Sequence, residues 1–374
     1  MKRFIKSATS WRRTVLLWII APVLSLTLPL LVAFYSLFQG ADASFIDEDF
    51  AQNEIAFVAL GDQGTGNFRQ WQVGRSMDIL SESNPLDFVV LLGDNFYARG
   101  VTSVGDIQWR YKFENMYQGN RLSHIPYYAV LGNHDYLGNE LAEIEYGIQR
   151  KGSGRWRMPA KDYVVYYGEA RGLDLIKVIY LDTSPAARDI ADTAQKLVEL
   201  LDNSKPTVWT FVASHVPIKT GSEHYFDPQI GKYLLPILNR YSVDIYFNGH
   251  EHNQQLVGSP AEFMLTETLP NEYAPGEILT TNTMPSRTLS SNTLFSNILS
   301  SNTRFVISGT GGKHGAPLDG GFEPNLVFSD DSTGFVYVKV NSSQLELRYL
   351  DQSGTVLFET HFSPRLQGEG GQPG

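Results

Sequence analysis

The chain contains no cysteine. Disulfides, thiol nucleophiles and thiolate-bound metals are therefore excluded, and any metal must be held by oxygen and imidazole ligands, a set that suits iron, manganese or zinc. The chain also lacks a basic charge balance. Its 30 Lys and Arg stand against 40 Asp and Glu, a net charge of −10. That excludes a general nucleic-acid binder, although a local pocket can still be positive. Charged residues are few, at 19% against 42% hydrophobic, which is the balance of a globular rather than a disordered chain.

What is present first is a compositional break at the start. Lys2, Arg3, Lys6, Arg12 and Arg13 precede an uncharged stretch over residues 14–38. As a helix this stretch spans roughly 37 Å, enough to cross a bilayer with some tilt. The basic segment 1–13 is expected to stay in the cytoplasm, with the rest of the chain outside it, in the periplasm or the extracellular space. A cleavable signal has a shorter apolar core, about 7–15 residues, so the length favours an uncleaved anchor. Ala41-Asp42-Ala43 is nonetheless a plausible cleavage site, and cleavage would release a secreted protein. Residues 39–53 read as a linker.

Beyond it, apolar runs alternate with helical stretches. Ile55–Leu60, Phe88–Leu92, Tyr127–Leu131, Lys177–Leu181, Val208–Ala213 and Val243–Phe247 read as buried strands. Helices are expected near 68–83, 106–117, 189–203 and 229–241. The alternation predicts an α/β fold with largely parallel pairing, in which ligands bind beyond the carboxyl ends of the strands. Phe305–Ser308, Phe335–Val340, Leu345–Leu350 and Val356–Phe362 add further strands toward the end. Between lies an insert, about 260–303. Residues 280–309 repeat at a ten-residue period (TTNTMPSRTL, SSNTLFSNIL, SSNTRFVISG), which reads as a duplication tolerated in a surface loop. Residues 364–374 read as a disordered tail, so a catalytic domain is expected over 54–363.

Five polar clusters sit at strand ends. They are Gly61-Asp62-Gln63-Gly64, Gly93-Asp94-Asn95-Phe96-Tyr97, Gly132-Asn133-His134-Asp135, Ser214-His215-Val216-Pro217 and Gly249-His250-Glu251-His252. Each alone is weak. A Gly-Asp after a strand is commonly a turn or a helix cap, and a lone histidine in an apolar strand is commonly a core residue. Five in one chain, all at strand ends, point to a metal site. A carboxylate shared by two cations offsets their repulsion, and imidazole and amide groups complete the shells. Remaining histidines can protonate a leaving alcohol.

This set resembles the purple acid phosphatases of the metallophosphoesterase, or calcineurin-like, superfamily, and most nearly their small, single-domain, tartrate-resistant type. Their blocks DxG, GDxxY, GNHD, xxxH and GHxH all match in order, and GDNFYARGV and GNHDYLGN extend the match beyond the ligands. The resemblance covers roughly 54–257, and Ser308-Gly-Thr-Gly-Gly312 with its following strands is similar too. It implies a four-layer αββα sandwich of two mixed sheets, here preceded by a transmembrane helix. It implies Fe(III) held by Asp62, Tyr97, His252 and a shared Asp94, with Tyr97 as the tyrosinate that gives the purple colour. It implies a divalent Fe, Zn or Mn held by Asp94, Asn133, His215 and His250. His134 is then the substrate-contacting general acid, His224 a second substrate histidine, and Asp135 a residue that orients a ligand histidine. The implied activity is hydrolysis of phosphate monoesters by metal-bound hydroxide, favoured at acidic pH.

Two rivals stand beside this reading. One is a phosphodiesterase or pyrophosphatase using manganese or zinc, against which Tyr97 argues. The other is a membrane-tethered binding protein with structural metals, against which His134 and the intact ligand set argue. The insert of about fifty residues after GHxH departs from the small enzymes of the family, and bears on substrate preference rather than on metal binding.

Overall fold

The apolar runs pair into two facing sheets in the computed structural model, which describes residues 44–48, 52–222, 228–258, 303–318 and 323–364. The segments 1–13 and 14–38, His224, most of the insert with the first two repeat copies, and the tail beyond 364 lie outside the described residues. Among the described residues no helix is long and apolar enough to cross a membrane.

The first sheet is centred on β2 (Glu54–Leu60), β3 (Phe88–Leu91), β4 (Tyr127–Ala129) and β5 (Trp156–Arg157), all parallel. It continues antiparallel from β2 through β13 (Gly334–Asn341), β14 (Leu345–Asp351) and β15 (Val356–Phe362). The second sheet runs β1 (Ser44–Asp47), β6 (Tyr163–Ala170), β7 (Leu173–Tyr180), β8 (Thr207–Ala213), β9 (Ile245–Asn248), β11 (Arg304–Ser308), β10 (Gln254–Val257) and β12 (Leu326–Asp330). Its β7, β8, β9 and β11 are parallel. Both sheets are therefore mixed. Pairing is less parallel than the alternation alone predicts, because hairpins account for much of it. The β6–β7 hairpin turns on Arg171 and Gly172, both at positive φ (58° and 79°), the backbone a two-residue type I′ turn requires.

Among the described residues four α-helices accompany the sheets: α1 (Phe68–Ser83), α2 (Glu140–Ile148), α3 (Ile190–Asp202) and α4 (Pro228–Arg240). Asn67 caps α1 by accepting from the Gln70 amide at 3.0 Å, and Asp189 caps α3 through Asp192 at 2.9 Å, each satisfying an otherwise unpaired first-turn donor. The helix expected at 106–117 is a six-residue π-helical turn, Trp109–Glu114. The expected linker 39–53 holds an edge strand instead: β1 pairs parallel with β6 from Ser44↔Tyr163 to Asp47↔Tyr166. Four residues carry too short a pattern to reveal a partner so remote in sequence.

An aromatic layer joins the sheets. Phe57 and Phe88, adjacent in the first sheet, stack at 4.8 Å. Phe88 stacks across on Tyr167 at 4.0 Å, Phe57 meets Phe247 edge-on at 5.9 Å, and Tyr128 meets Tyr167 and Tyr180 at 5.6 and 5.7 Å. The buried hydroxyls of Tyr167 and Tyr180 bond each other at 2.9 Å, so the layer leaves those polar tips satisfied. It holds the carboxyl ends of the two parallel strand sets at a common edge. There Gly61, past β2, donates to Ser308 at the end of β11 at 2.6 Å.

Truncating Phe88→Ala removes a fully buried ring between the sheets and should cost about 3–5 kcal/mol, read as a lowered urea midpoint with an unchanged slope. A cost below about 1 kcal/mol would mean the layer collapses around the gap and does not set the sheet spacing.

Candidate metal centre

Every cluster singled out above, within the described residues, follows a parallel strand. Asp62 follows β2, Asp94 and Tyr97 follow β3, and Asn133 and His134 follow β4. His215 follows β8, and His250 and His252 follow β9. Three of these residues hold backbone angles that side chains rarely adopt: Asp62 (φ 57°), Asp94 (φ 52°) and His250 (φ 72°). Such angles cost about 1–3 kcal/mol each and persist only where the surroundings over-determine them. Gly93 has a separate reason for being glycine. At φ 87° a β-carbon there would stand 2.6 Å from His215 Nδ1.

The donor atoms form two groups that share one residue. The Tyr97 hydroxyl lies 2.6 Å from Asp62 Oδ1, 2.6 Å from Asp94 Oδ2 and 3.3 Å from His252 Nε2. His215 Nε2 lies 3.1 Å from Asn133 Oδ1, 3.1 Å from His250 Nδ1 and 3.5 Å from Asp94 Oδ1. Asp94 thus offers one oxygen to each group. Asp62, Asp94 and His215 place donor atoms within 4.8 Å of one another.

Proton bookkeeping shows why these residues fit cations. The single phenol hydrogen of Tyr97 can serve one carboxylate at a time, yet both lie at hydrogen-bond distance. The facing ring nitrogens of His215 and His250 share at most one proton. Burial, then the Asp62 and Asp94 charges, drive the Tyr97 phenol far above its ordinary value, so a phenolate there needs a compensating cation. Burial and the neighbouring His215 push His250 down to about 3, which keeps the ring neutral with one nitrogen free to donate a lone pair. Burial opposes charge on His215, but the Asp94 and Asp62 carboxylates outweigh it and raise its value. A buried set of carboxylate, phenol, amide and imidazole donors is what hard and borderline cations bind.

The supporting contacts were only partly foreseen. His215 Nδ1–H donates to the Leu92 carbonyl at 2.8 Å, which turns Nε2 toward the cluster. His134 is fixed likewise: Nδ1–H donates to Ala98 O at 2.8 Å, and Nε2 stands 3.9 Å from Asp94 Oδ2. Asp135 does not orient a histidine, as the resemblance implies. It accepts from the Gly132 amide at 2.8 Å, from the Asn95 and Phe96 amides at 3.1 Å each, and from Asn95 Nδ2 at 3.1 Å. It clamps the loop that carries Asp94 and Tyr97. Burial and the Asp94 charge push Asp135 up to about 7. Asn95 Nδ2 also reaches Val130 O at 2.8 Å and Glu143 Oε2 at 3.1 Å. Glu143, from α2, was not anticipated, because nothing in the sequence places that helix against the loop.

With this geometry in hand, comparison with known proteins is specific. The family model described as Calcineurin-like phosphoesterase matches residues 56–254. Purple acid phosphatase 7 of Arabidopsis thaliana is 27% identical over 340 residues, covering 84% of this chain and 88% of the relative. Tartrate-resistant acid phosphatase type 5 of Homo sapiens is 26% identical over 348 residues, covering 85% and 94%. Among solved structures, GAP50, titled the anchor in the inner membrane complex of Plasmodium, superposes with a TM-score of 0.65 at 18% identity, covering 84% of this chain and 90% of that one. At that identity the likeness concerns the fold alone.

Replacing Asp135 by Ala strips four donors of one buried acceptor and should destabilise the protein by about 3 kcal/mol, on the scale of a broken buried network. Urea unfolding in the presence of a chelator isolates this effect from metal binding. A loss under about 1 kcal/mol would show that solvent replaces the carboxylate and that it does not clamp the loop.

Proposed function

This chain belongs to the calcineurin-like phosphoesterase family, and from that premise we propose that it is a purple acid phosphatase-like enzyme hydrolysing phosphate monoesters at a pair of metal ions. The observation that carries this reading is Asp94, whose two oxygens face separate donor groups. Asp62, Tyr97 and His252 would hold Fe(III) with it, and Asn133, His215 and His250 would hold Fe(II), Zn(II) or Mn(II). When bound, such a pair supplies Lewis acidity toward phosphoryl oxygens and an activated water.

The chain's own residues do the rest. Leu92 O holds His215 in one tautomer. Asp135 and Asn95 hold the loop between Asp94 and Tyr97. His134, half-exposed and anchored through Nδ1, presents Nε2 on the cluster side, where it can pass a proton to a departing alkoxide. His224, by its spacing from His215, is proposed as a second substrate contact. A protonated imidazole as general acid gives an acidic optimum, so a pH optimum clearly above neutral would count against His134 in that role.

We further place the catalytic domain on the outer side of a membrane, from the basic segment and the uncharged residues 14–38 that follow it. Protease accessibility in cells stripped of any outer membrane and wall, with the cytoplasmic membrane intact, checks this. Digestion of the domain is expected from the outside, and full protection would overturn the placement.

The visible spectrum tests the metal assignment. The iron-loaded protein should show a purple tyrosinate band that is absent in Tyr97→Phe, and Asp94→Asn should lose most activity, at least about 100-fold. A colourless parent with full metal occupancy would move the reading to another metallophosphoesterase. Comparison of monoester and diester hydrolysis would then identify which.

A further inference from the structure

The glycine-rich turn after β11 ends in a lysine to which no role has yet been given. Residues Gly309-Thr310-Gly311-Gly312-Lys313 press on the Asp62 loop. Gly311 N–H donates to Gly61 O at 3.0 Å. A β-carbon on Gly312 would stand 2.2 Å from the Gln63 carbonyl oxygen, so this close approach requires glycine. The same turn is tied to the start of α1, where Asn67 Nδ2 donates to Gly312 O at 3.0 Å.

Lys313 is then held at both its backbone groups. Its N–H donates to Asp62 O at 3.2 Å, and its carbonyl accepts from Thr333 Oγ1 at 3.2 Å. The side chain lies over Tyr97, with Nζ 4.1 Å from the ring centroid. His134 flanks the same ring, with centroids 4.4 Å apart. The ammonium therefore stands against the ring of a cluster residue, one that the histidine proposed to act as the acid also flanks.

Among the described residues its charge is uncommitted, unlike several other cations: Lys112 donates to Tyr97 O and to Gln108 Oε1, Lys161 pairs with Glu140 at 3.1 Å, Arg188 with Asp162 at 2.6 Å, and Lys219 with Glu323 at 3.7 Å. Among the described residues no carboxylate lies within ion-pair distance of Lys313, whose recorded side-chain contact is the Tyr97 ring. A half-exposed ammonium on a rigid turn, delivered to the rim of an anion-processing site without a counter-ion, is arranged to receive one.

Resting on the function proposed above, we propose that Lys313 is a substrate-binding residue, whose ammonium contacts a non-bridging oxygen of the phosphoryl group. The contact is made alike to substrate and to inorganic phosphate, so it acts on affinity more than on turnover.

The test uses full-length, metal-loaded protein with Lys313→Gln and Lys313→Arg. Binding of inorganic phosphate is measured by calorimetry, beside kcat and KM for p-nitrophenyl phosphate. K313Q should bind phosphate about 10-fold more weakly and raise KM by a similar factor, the scale of one charge-assisted hydrogen bond, with kcat within about threefold. K313R should recover most of that affinity. Unchanged phosphate affinity in K313Q overturns the assignment, whether or not the tyrosinate band shifts. A shift alone would mean that the ammonium acts on Tyr97 and not on the substrate. A parent protein that neither binds phosphate nor hydrolyses monoesters would instead overturn the function proposed above. The two failures are thus separable.

Discussion

The shared carboxylate of Asp94 sets the terms for everything around it. Its two oxygens face different donor groups, one centred on Tyr97 and one on His215. Both groups are largely buried, and both crowd anions and lone pairs that repel one another unless positive charge stands between them. The protein bears that cost in advance. It holds Asp62, Asp94 and His250 at left-handed backbone angles, turns His215 through a backbone carbonyl, and binds the Asp94–Tyr97 loop to Asp135. These devices keep the donors converged, so that a cation meets a site already shaped for it.

Convergence is also a matter of sheet packing. Asp62, Asp94, Tyr97 and Asn133 come from the first sheet, while His215, His250 and His252 come from the second. The site exists only if the carboxyl ends of the two sheets meet at one edge. The aromatic layer of Phe57, Phe88, Tyr128, Tyr167 and Tyr180 settles their spacing. Contacts such as the His250 amide on Asp62 Oδ2 at 2.7 Å then close the gap between them. Core and site are coupled through geometry: a ring lost from that layer would be felt by ligands that touch none of its atoms.

Much of the fold was legible because burial leaves a direct mark on sequence. The strands at β2, β3, β8, β13 and β15 fall within one or two residues of their apolar runs, and α1 matches its expected span, 68–83. What escaped has identifiable causes. β6 is built from tyrosine and valine, and its hairpin turn, Arg171-Gly172, carries no Asn-Gly or Asp-Gly signal. β1 and β5 are too short to show a period. Asp135 was expected to orient a ligand histidine. Its partners are instead the nearby Gly132 amide and, some forty residues away, the Asn95 and Phe96 amides and the Asn95 side chain.

Residue types and their order along the chain were enough to establish an α/β protein with oxygen and imidazole donors at the carboxyl ends of its strands. That follows because strand burial and metal chemistry each restrict which residues can stand where. Which donors meet, through which atoms, and which supporting groups hold them could not follow from order alone. Those depend on contacts between segments remote in sequence: His215 on Leu92, Glu143 on Asn95, Lys313 over Tyr97. They were decided when two sheets closed on one aromatic layer, because local sequence carries no record of which distant surface it will be pressed against.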